Sequence, residues 1–375
     1  MELKEIAPQK RYRVIISGGG TGGHFYPAVA IAERLKALYG EDIEILFVGA
    51  YCKMEMEKVP PLGWNIIGLH IAGLQRKFTA KNLTLPFKVI GSYVKSSRII
   101  SRFKPNIVVG FGGYVTLPIL SCAARNGIPT MIWEGNSYPG MANRSLAKRA
   151  VRVFVPHSGM SNYFDSAKMV VSGSPLRGGL CCDGAKREEA YDYFSIDRSK
   201  PTLFVTGGSL GTSVLNNALL AAFDELASEN KINIIWQSGS AHNAAVQEAI
   251  KGRKPSNFWV SPFVNRMDLA YNVADLVVAR SGASTLSELA LIGRAAILVP
   301  SSNVPDDHQT KNAMTFVSGK AAHIVTDAEA TEKLIPLALS LLENREQIAE
   351  LEENIKKFAQ PESAKIIVDE IAKYL

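Results

Sequence analysis

The chain has 375 residues, 47% of them hydrophobic and 21% charged, with a formal net charge of +7. That length suits two domains of ordinary size, and the apolar fraction excludes wholesale disorder. The polar, charged start MELKEIAPQKRYR argues against a secretory signal. The four cysteines form no CxxC pair and no metal spacing, so they read as reduced thiols of a cytoplasmic protein.

In chain order, short β-branched runs alternate with helical patterns. RVIIS (13–17), IEILFVG (43–49), NIVVGFGG (106–113), TMIW (130–133) and VRVFVP (151–156) read as buried parallel strands. Between them, stretches such as AVAIAERLKALYG (28–40) fit crossover helices, with Gly40 as a C-cap. A second series follows in PTLFVTGG (201–208), INIIWQSG (232–239), NFWVSPF (257–263), ADLVVARSG (274–282) and AAILVP (295–300). ISGGGTGG (16–23) and VTGGSLGT (205–212) share one plan of strand, glycine turn and helix start. The expected fold is therefore α/β, with two Rossmann-like domains facing across a cleft. The division falls near Arg177, giving domains of 1–176 and 177–359, with a C-terminal helix in 360–375 packing back on the first.

Residues 105–124 carry no charge over a length that can cross a bilayer. Gly110, Gly112, Gly113 and Pro118 break that run into a strand, a loop and a helix start, so a membrane span is not expected. Between Glu57 and Glu134 there is no acidic residue, while ten basic ones occur. Lys77, Lys81 and Lys88 are interleaved there with Ile71, Leu74, Phe78, Leu85 and Phe87. Basic residues around an apolar cluster suit an anionic membrane surface, and a solvated basic face over core residues is the alternative. No helix-turn-helix, zinc or RNA-binding signature accompanies the charge, so nucleic acid is not an expected partner.

GGGTGGH (18–24) formally satisfies GxGxxG after a strand. A dinucleotide cofactor would want an acidic residue at the end of the second strand, which instead ends Phe47-Val48-Gly49-Ala50. GxxxxGK[ST] is also absent. What remains is a turn of little bulk, where backbone N–H groups at a helix start can approach an anion such as a diphosphate. A purely structural tight turn is the alternative. His24, on the rim of that loop, suits a general base, the plainer reading being a helix-start histidine bonded to backbone. GFGGY (110–114) and WEGNSYPG (133–140) leave two further strands of the same sheet, bringing Glu134 and Asn136 to the same edge. In the second half, GGSLGT (207–212) offers the Ser209 hydroxyl. RSGASTLSELA (280–290) places Ser284 and Thr285 in a first helical turn, with Glu288 one turn on as an acceptor for ribose hydroxyls. DDHQTKNA (306–313) presents Asp307, His308, Gln309 and Asn312; amides and carboxylates of this kind read sugar hydroxyls, and ordinary loop polarity is the alternative.

GGTGGH with P-A-V-A-I-A, GFGGY, E-x-N, GGSxG, RSGAxTxSE and HQxxNA, in this order, resemble the motifs of MurG-type enzymes. These are bacterial N-acetylglucosaminyltransferases of peptidoglycan synthesis with a GT-B fold, and the resemblance runs from about residue 11 to the C-terminus. It implies inverting transfer of N-acetylglucosamine (GlcNAc) from UDP-GlcNAc to the 4-hydroxyl of the muramyl sugar (MurNAc) in undecaprenyl-pyrophosphoryl-MurNAc-pentapeptide, lipid I. Lipid II would be the product, on the cytoplasmic face of the inner membrane, with a bearing on cell shape and division and with other cell-wall synthesis proteins as further candidate partners. No DxD-type metal cluster is apparent in the sequence, so no cofactor and no metal site is expected.

The same resemblance makes the first domain the acceptor and membrane domain and the second the UDP-GlcNAc domain. His24 falls on the family's proposed base, and Gly19, Gly20, Gly112, Gly113 and Tyr114 on loops for the acceptor pyrophosphate. Thr21, Gly22, Gly23, Asn136, Arg177 and Ser209 fall on donor-side positions, as do Val264, whose backbone would read uracil, and Gln309. Ala283, Ser284, Thr285, Leu286, Ser287 and Glu288 cover the phosphate and ribose loop, although Leu286 faces the core by its spacing. Three departures stand out: GGSQG reads GGSLG at Leu210, H-E-Q-N reads W-E-G-N at Trp133 and Gly135, and R-Q-Q reads D-H-Q at His308. A transferase acting on a diacylglycerol and a non-catalytic nucleotide-sugar sensor are the rival readings.

Overall fold

The structure is a computed structural model describing residues 11–71, 85–176, 180, 183–253, 255–304 and 307–375. Apolar runs and amphipathic stretches become alternating strands and helices. The first half runs β1 (Tyr12–Ser17), α1 (Gly22–Tyr39), β2 (Ile43–Ala50), α2 (Met54–Lys58), β3 (Asn65–Leu69), α3 (Leu85–Phe103), β4 (Ile107–Gly110), α4 (Thr116–Arg125), β5 (Thr130–Trp133), α5 (Met141–Ala147), β6 (Arg152–Val155) and β7 (Met169–Val171). The second opens with α6 (Gly184–Phe194), β8 (Thr202–Thr206), α7 (Ser213–Ala221), α8 (Phe223–Glu229), β9 (Asn233–Gln237), α9 (Asn243–Ala249), β10 (Phe258–Ser261) and α10 (Met267–Val273). It ends with β11 (Leu276–Ala279), α11 (Ala283–Ile292), β12 (Ala296–Leu298), α12 (His308–Ser318), β13 (His323–Ile324), α13 (Ala330–Glu343), α14 (Arg345–Lys356) and α15 (Ser363–Ala372).

The strands form two all-parallel sheets, in the orders β3-β2-β1-β4-β5-β6-β7 and β10-β9-β8-β11-β12-β13. The chain divides into two compact units, residues 1–177 with Glu362–Leu375 and residues 178–361. Each sheet is covered on both faces. In the first unit Val14, Ile16, Phe47 and Val109 point to one core and Ile15, Val48 and Val108 to the other. Burial on both faces is why β1, β4, β5, β8 and β11 read as continuous apolar runs. The edge strand β10 was among the expected runs, whereas the short or part-buried edges β3, β7 and β13 were not. The uncharged stretch 105–124 contains β4, a glycine loop and α4, and among the described residues no helix is long and apolar enough to cross a membrane.

Strand order reverses direction beside β1 in one sheet and beside β8 in the other. In open parallel sheets the crevice outside the carboxyl ends at such a reversal is where ligands bind. The β1–β4 pair ends with Ser17 level with Gly110, and the β8–β11 pair with Thr206 level with Ala279. These are the positions from which the glycine-rich loops leave. The last helix belongs to the first unit. Ile367, Val368 and Ile371 of α15 share a core with Phe25, Val29 and Ala32 of α1, and Glu370 Oε2 pairs with Arg152 Nε at 3.0 Å.

Candidate active site

In the first unit, β1 ends at Ser17 and the chain turns through Gly18–Thr21 into α1. His24 lies in the first turn of that helix. Its Nδ1 stands 3.1 Å from the Gly19 carbonyl and 3.3 Å from Thr21 Oγ1. A carbonyl can only accept, so the Gly19 bond places the proton on Nδ1 and the lone pair on Nε2. The GFGGY loop lies directly against this ring. A Cβ on Gly112 would come within 2.7 Å of His24 Cδ2 and 2.8 Å of Nε2, and one on Gly113 within 2.7 Å of the Gly19 carbonyl oxygen. Both glycines have positive φ, +100° and +87°, so the loop is closed to side chains sterically and conformationally. Tyr114 is exposed at its rim.

The loop's amides are not all available to an anion. Gly20 N donates to Glu55 Oε2 at 3.0 Å, while Glu55 Oε1 accepts from Ala50 N at 3.0 Å. The one N–H of Gly20 is engaged, and the Cα of Gly19 faces a buried carboxylate. The first turn of α1, which includes Gly22 and Gly23, presents further outward N–H groups at this edge.

Glu134, buried at the exit of β5, organises the next loop. Its Oε1 accepts from the backbone N and side-chain Nδ2 of Asn136 at 3.0 and 3.1 Å. Its Oε2 accepts from Gly140 N and Asn143 Nδ2 at 3.0 and 2.9 Å. Asn136 is thereby held at the same sheet edge as His24. Trp133 is not a site residue. It is buried, tilts against Phe111 with ring centroids 6.0 Å apart, and donates Nε1–H to the Gly173 carbonyl at 2.9 Å. A Cβ on Gly135 would lie 2.3 Å from the Trp133 ring, so the two departures from H-E-Q-N are one steric event.

In the second unit the edge is built around Arg280. Nη1 donates to the carbonyls of Val299 and Pro300 at 2.9 and 3.0 Å and to Asp327, and Nη2 donates to Thr212 Oγ1 at 2.7 Å. Burial would raise the Asp327 carboxyl, but the Arg280 guanidinium and Ser302 hold it below its usual range. The GGSLG turn packs closely on the β9 exit, where a Cβ on Gly211 would fall 2.2 Å from the Ser238 oxygen and Gln237 Nε2 donates to the Gly208 carbonyl at 2.9 Å. Ser209 is half-buried there and Leu210 is exposed.

Gly282 caps α11, and Ala283, Ser284 and Thr285 form its first turn. Ser284 Oγ is buried with no hydrogen-bond partner among the described residues, an acceptor and donor waiting at a helix N-terminus. Ser287 instead returns its hydroxyl to the Ala283 carbonyl at 3.0 Å, and the Leu286 side chain lies in the core. Glu288 Oε2 accepts from the phenol of Tyr271 at 2.8 Å. Burial, then the charge and hydrogen bond of Glu288, push the Tyr271 hydroxyl well above its usual range, so it stays a donor. Val264 N donates to Gln237 Oε1 at 2.8 Å, which leaves its carbonyl as the backbone group for a base. Gln309 Oε1 accepts from Ser301 N at 2.9 Å, turning the amide NH2 into the group that can read a hydroxyl. Asn312 is buried against the Ser281 carbonyl, and His308 opens α12.

Sequence reasoning missed Glu55, Gln237, Tyr271 and Arg280. Glu55, Gln237 and Tyr271 each bond to a candidate site residue from a distant stretch of chain, and Arg280, at the head of RSGAS, ties that loop to Thr212 and Asp327. Arg177, Leu74, Lys77, Phe78 and Lys81 lie outside the described residues, as do the side chains of Leu85 and Phe87. Ile71 is half-buried against the first unit's core rather than standing clear of it, whereas Lys88 is exposed. Among the described residues no group of three or more His, Cys, Asp or Glu is placed to hold a metal ion.

Two doubly wound domains, each with a glycine-rich loop at its switch point, define the GT-B fold. Residues 14–155 match the glycosyltransferase family 28 N-terminal domain and residues 202–368 the family 28 C-terminal domain. The chain belongs to glycosyltransferase family 28, among the MurG-type enzymes. A Bacteroides fragilis protein named UDP-N-acetylglucosamine–N-acetylmuramyl-(pentapeptide) pyrophosphoryl-undecaprenol N-acetylglucosamine transferase is 45% identical over 96% of this chain and 95% of its own. A Flavobacterium psychrophilum protein of the same name is 44% identical over 97% and 98%. The crystal structure of Acinetobacter baumannii MurG superimposes with a TM-score of 0.75 at 29% identity, covering 97% of this chain and 99% of that one.

Proposed function

We propose that this enzyme transfers GlcNAc from UDP-GlcNAc to the 4-hydroxyl of MurNAc in undecaprenyl-pyrophosphoryl-MurNAc-pentapeptide, giving the disaccharide lipid of peptidoglycan synthesis. The observation that carries this is similarity at 45% identity over 96% of the chain to a relative named for that reaction. In our reading the acceptor hydroxyl lies at Nε2 of His24. The nitrogen takes its proton as the oxygen bonds to the anomeric carbon. The bond from that carbon to the diphosphate breaks with its electrons leaving on UDP, and the configuration inverts. The second unit holds the donor. The α11 N-terminus and Ser284 stabilise the departing diphosphate, Glu288 takes ribose hydroxyls, the Val264 carbonyl reads the base and Gln309 reads the sugar. Asn136, aligned by Glu134, lies on the sugar side of the base.

The acceptor is a lipid, so the enzyme works on the cytoplasmic face of the inner membrane as a peripheral protein. The acid-free basic stretch supports this reading, as does α3, where Lys88 is exposed and Ile90 and Val94 are 63% and 45% exposed.

The test is UDP release by purified protein from UDP-GlcNAc, with and without a short-chain lipid I analogue. Release that requires the muramyl acceptor and yields the disaccharide is expected, and His24→Ala should lower kcat by roughly 10²–10⁴-fold. Donor binding without acceptor-dependent release by the folded protein would overturn the assignment. Exchanging Phe78, Leu85 and Phe87 for serine should weaken binding to anionic liposomes, and unchanged binding would remove the membrane role of that stretch.

A further inference from the structure

The Gly19 carbonyl and the Gly20 N–H are the two ends of one peptide group, planar and rigid, pointing in opposite directions. At one end His24 Nδ1 lies 3.1 Å from the oxygen, and at the other the N–H donates to Glu55 Oε2 at 3.0 Å. From this continuity we infer that Glu55 is the positioning residue of the His24 base, acting through the Gly19–Gly20 peptide. The inference rests on the proposed role of His24 and adds to it the group that sets the ring's tautomer and orientation.

Three features make Glu55 more than a residue that closes a turn. Its other oxygen is anchored by Ala50 N at 3.0 Å, at the end of the neighbouring strand, so the carboxylate cannot swing. It is 1% exposed, whereas Glu57 on the same short helix faces solvent. The backbone on both sides has been cleared for it. A Cβ on Gly19 would lie 2.0 Å from Glu55 Oε1, and one on Gly49 2.5 Å from its Cγ. Burying a carboxylate is costly unless its oxygens are bonded, and backbone donors on two different loops meet that cost here.

The chemistry follows from the direction of the bonds. A carboxylate accepting from one end of a peptide group polarises it, making the carbonyl at the other end a stronger acceptor. That oxygen holds Nδ1–H, directs the lone pair to Nε2 and stabilises the imidazolium that forms when Nε2 takes a proton. This is how a carboxylate behind a histidine works when it touches the ring directly, with one amide interposed.

Glu55→Gln is the test. An amide has one acceptor where Glu55 uses two, so either Gly20 N or Ala50 N loses its partner. In the full-length variant, kcat should fall roughly 10–100-fold while KM for UDP-GlcNAc stays within about twofold, because the donor is held elsewhere. The second readout needs no turnover. In protein labelled with 15N-histidine, the signals lost in His24→Gln identify His24. They should report the Nδ1–H tautomer in the parent enzyme and a tautomer mixture in Glu55→Gln. Gly19→Ala, whose methyl drives the carboxylate away, should move both readouts the same way and stands in should Glu55→Gln fail to fold. A folded Glu55→Gln or Gly19→Ala protein with the parent tautomer overturns the inference, whether or not its kcat falls. If the parent enzyme transfers nothing to the muramyl lipid, the function falls while the tautomer signature still decides the role of Glu55.

Discussion

Gly112 leaves the space that the His24 ring occupies: a Cβ there would sit 2.8 Å from Nε2, the nitrogen that carries the lone pair. The glycine loop of one strand thus shapes the space around a histidine ring on the helix that follows another. Gly112→Ala should therefore act on the chemistry rather than on donor binding. At φ +100° the substitution also strains the backbone, at a cost of about 1–3 kcal/mol in stability. A displacement of the ring by about 1 Å is enough for a kcat loss on the order of 100-fold. Steady-state kinetics with thermal unfolding will separate the two effects, and an unchanged kcat would show that the ring has room to move.

Trp133 and Gly135 should behave as a coupled pair. Gly135→Ala brings a methyl against the buried indole and should destabilise by roughly 1–3 kcal/mol. Trp133→His removes that conflict but also the Nε1–H bond to Gly173 and the packing on Phe111. The double variant Trp133→His with Gly135→Gln should be more stable than the sum of its single variants, by about 0.5–3 kcal/mol in a denaturant double-mutant cycle. Additive losses would mean that the two departures arose independently.

Tyr271 supports Glu288 at the proposed donor site. Tyr271→Phe leaves Glu288 without the phenol that holds its Oε2, in a fully buried position that tolerates the smaller ring. UDP-GlcNAc binding by calorimetry should weaken by ~1 kcal/mol, about fivefold, with the catalytic unit otherwise intact. Equal affinity would mean that Glu288 holds its place without the phenol.

The tail helix should loosen in acid. Burial alone would raise the Glu370 carboxyl, but Lys373 and Arg152 hold it below its usual range. A carboxyl depressed in the folded state stabilises at pH values above its unfolded value, and that stabilisation is lost as pH falls through the folded one. Glu370→Gln should thus lower the thermal midpoint at pH 7, and the gap to the parent protein should close below about pH 4. Amide exchange confined to α15 would locate the change. A gap independent of pH would point to packing instead of charge.

The central strands and the chain order of the motifs were legible because their causes are local. Strands buried on both faces need unbroken apolar runs, glycine turns need residues without side chains, and Gly40 ends α1 at φ +54°. The same local logic singled out His24, the α11 N-terminus and Glu288 as candidates. The part-exposed edges β3, β7 and β13 left no such trace.

What the glycine loops do with their amides was decided only in three dimensions. Read alone, GGGTGG is an anion cradle lacking the carboxylate that a dinucleotide site would want. In the folded chain a carboxylate is present, carried back to the loop by α2 and bonded to Gly20 N from a position 35 residues later. Gln237 takes the Val264 amide from 27 residues away, and Arg280 reaches Asp327 across 47. A side chain's hydrogen-bond partner depends on which strand ends the sheet brings level, and that register is set by burial over the whole sheet. Composition and motif order therefore determine the class of enzyme. Which atoms hold the base and the donor loops is settled by packing between segments that no local pattern connects.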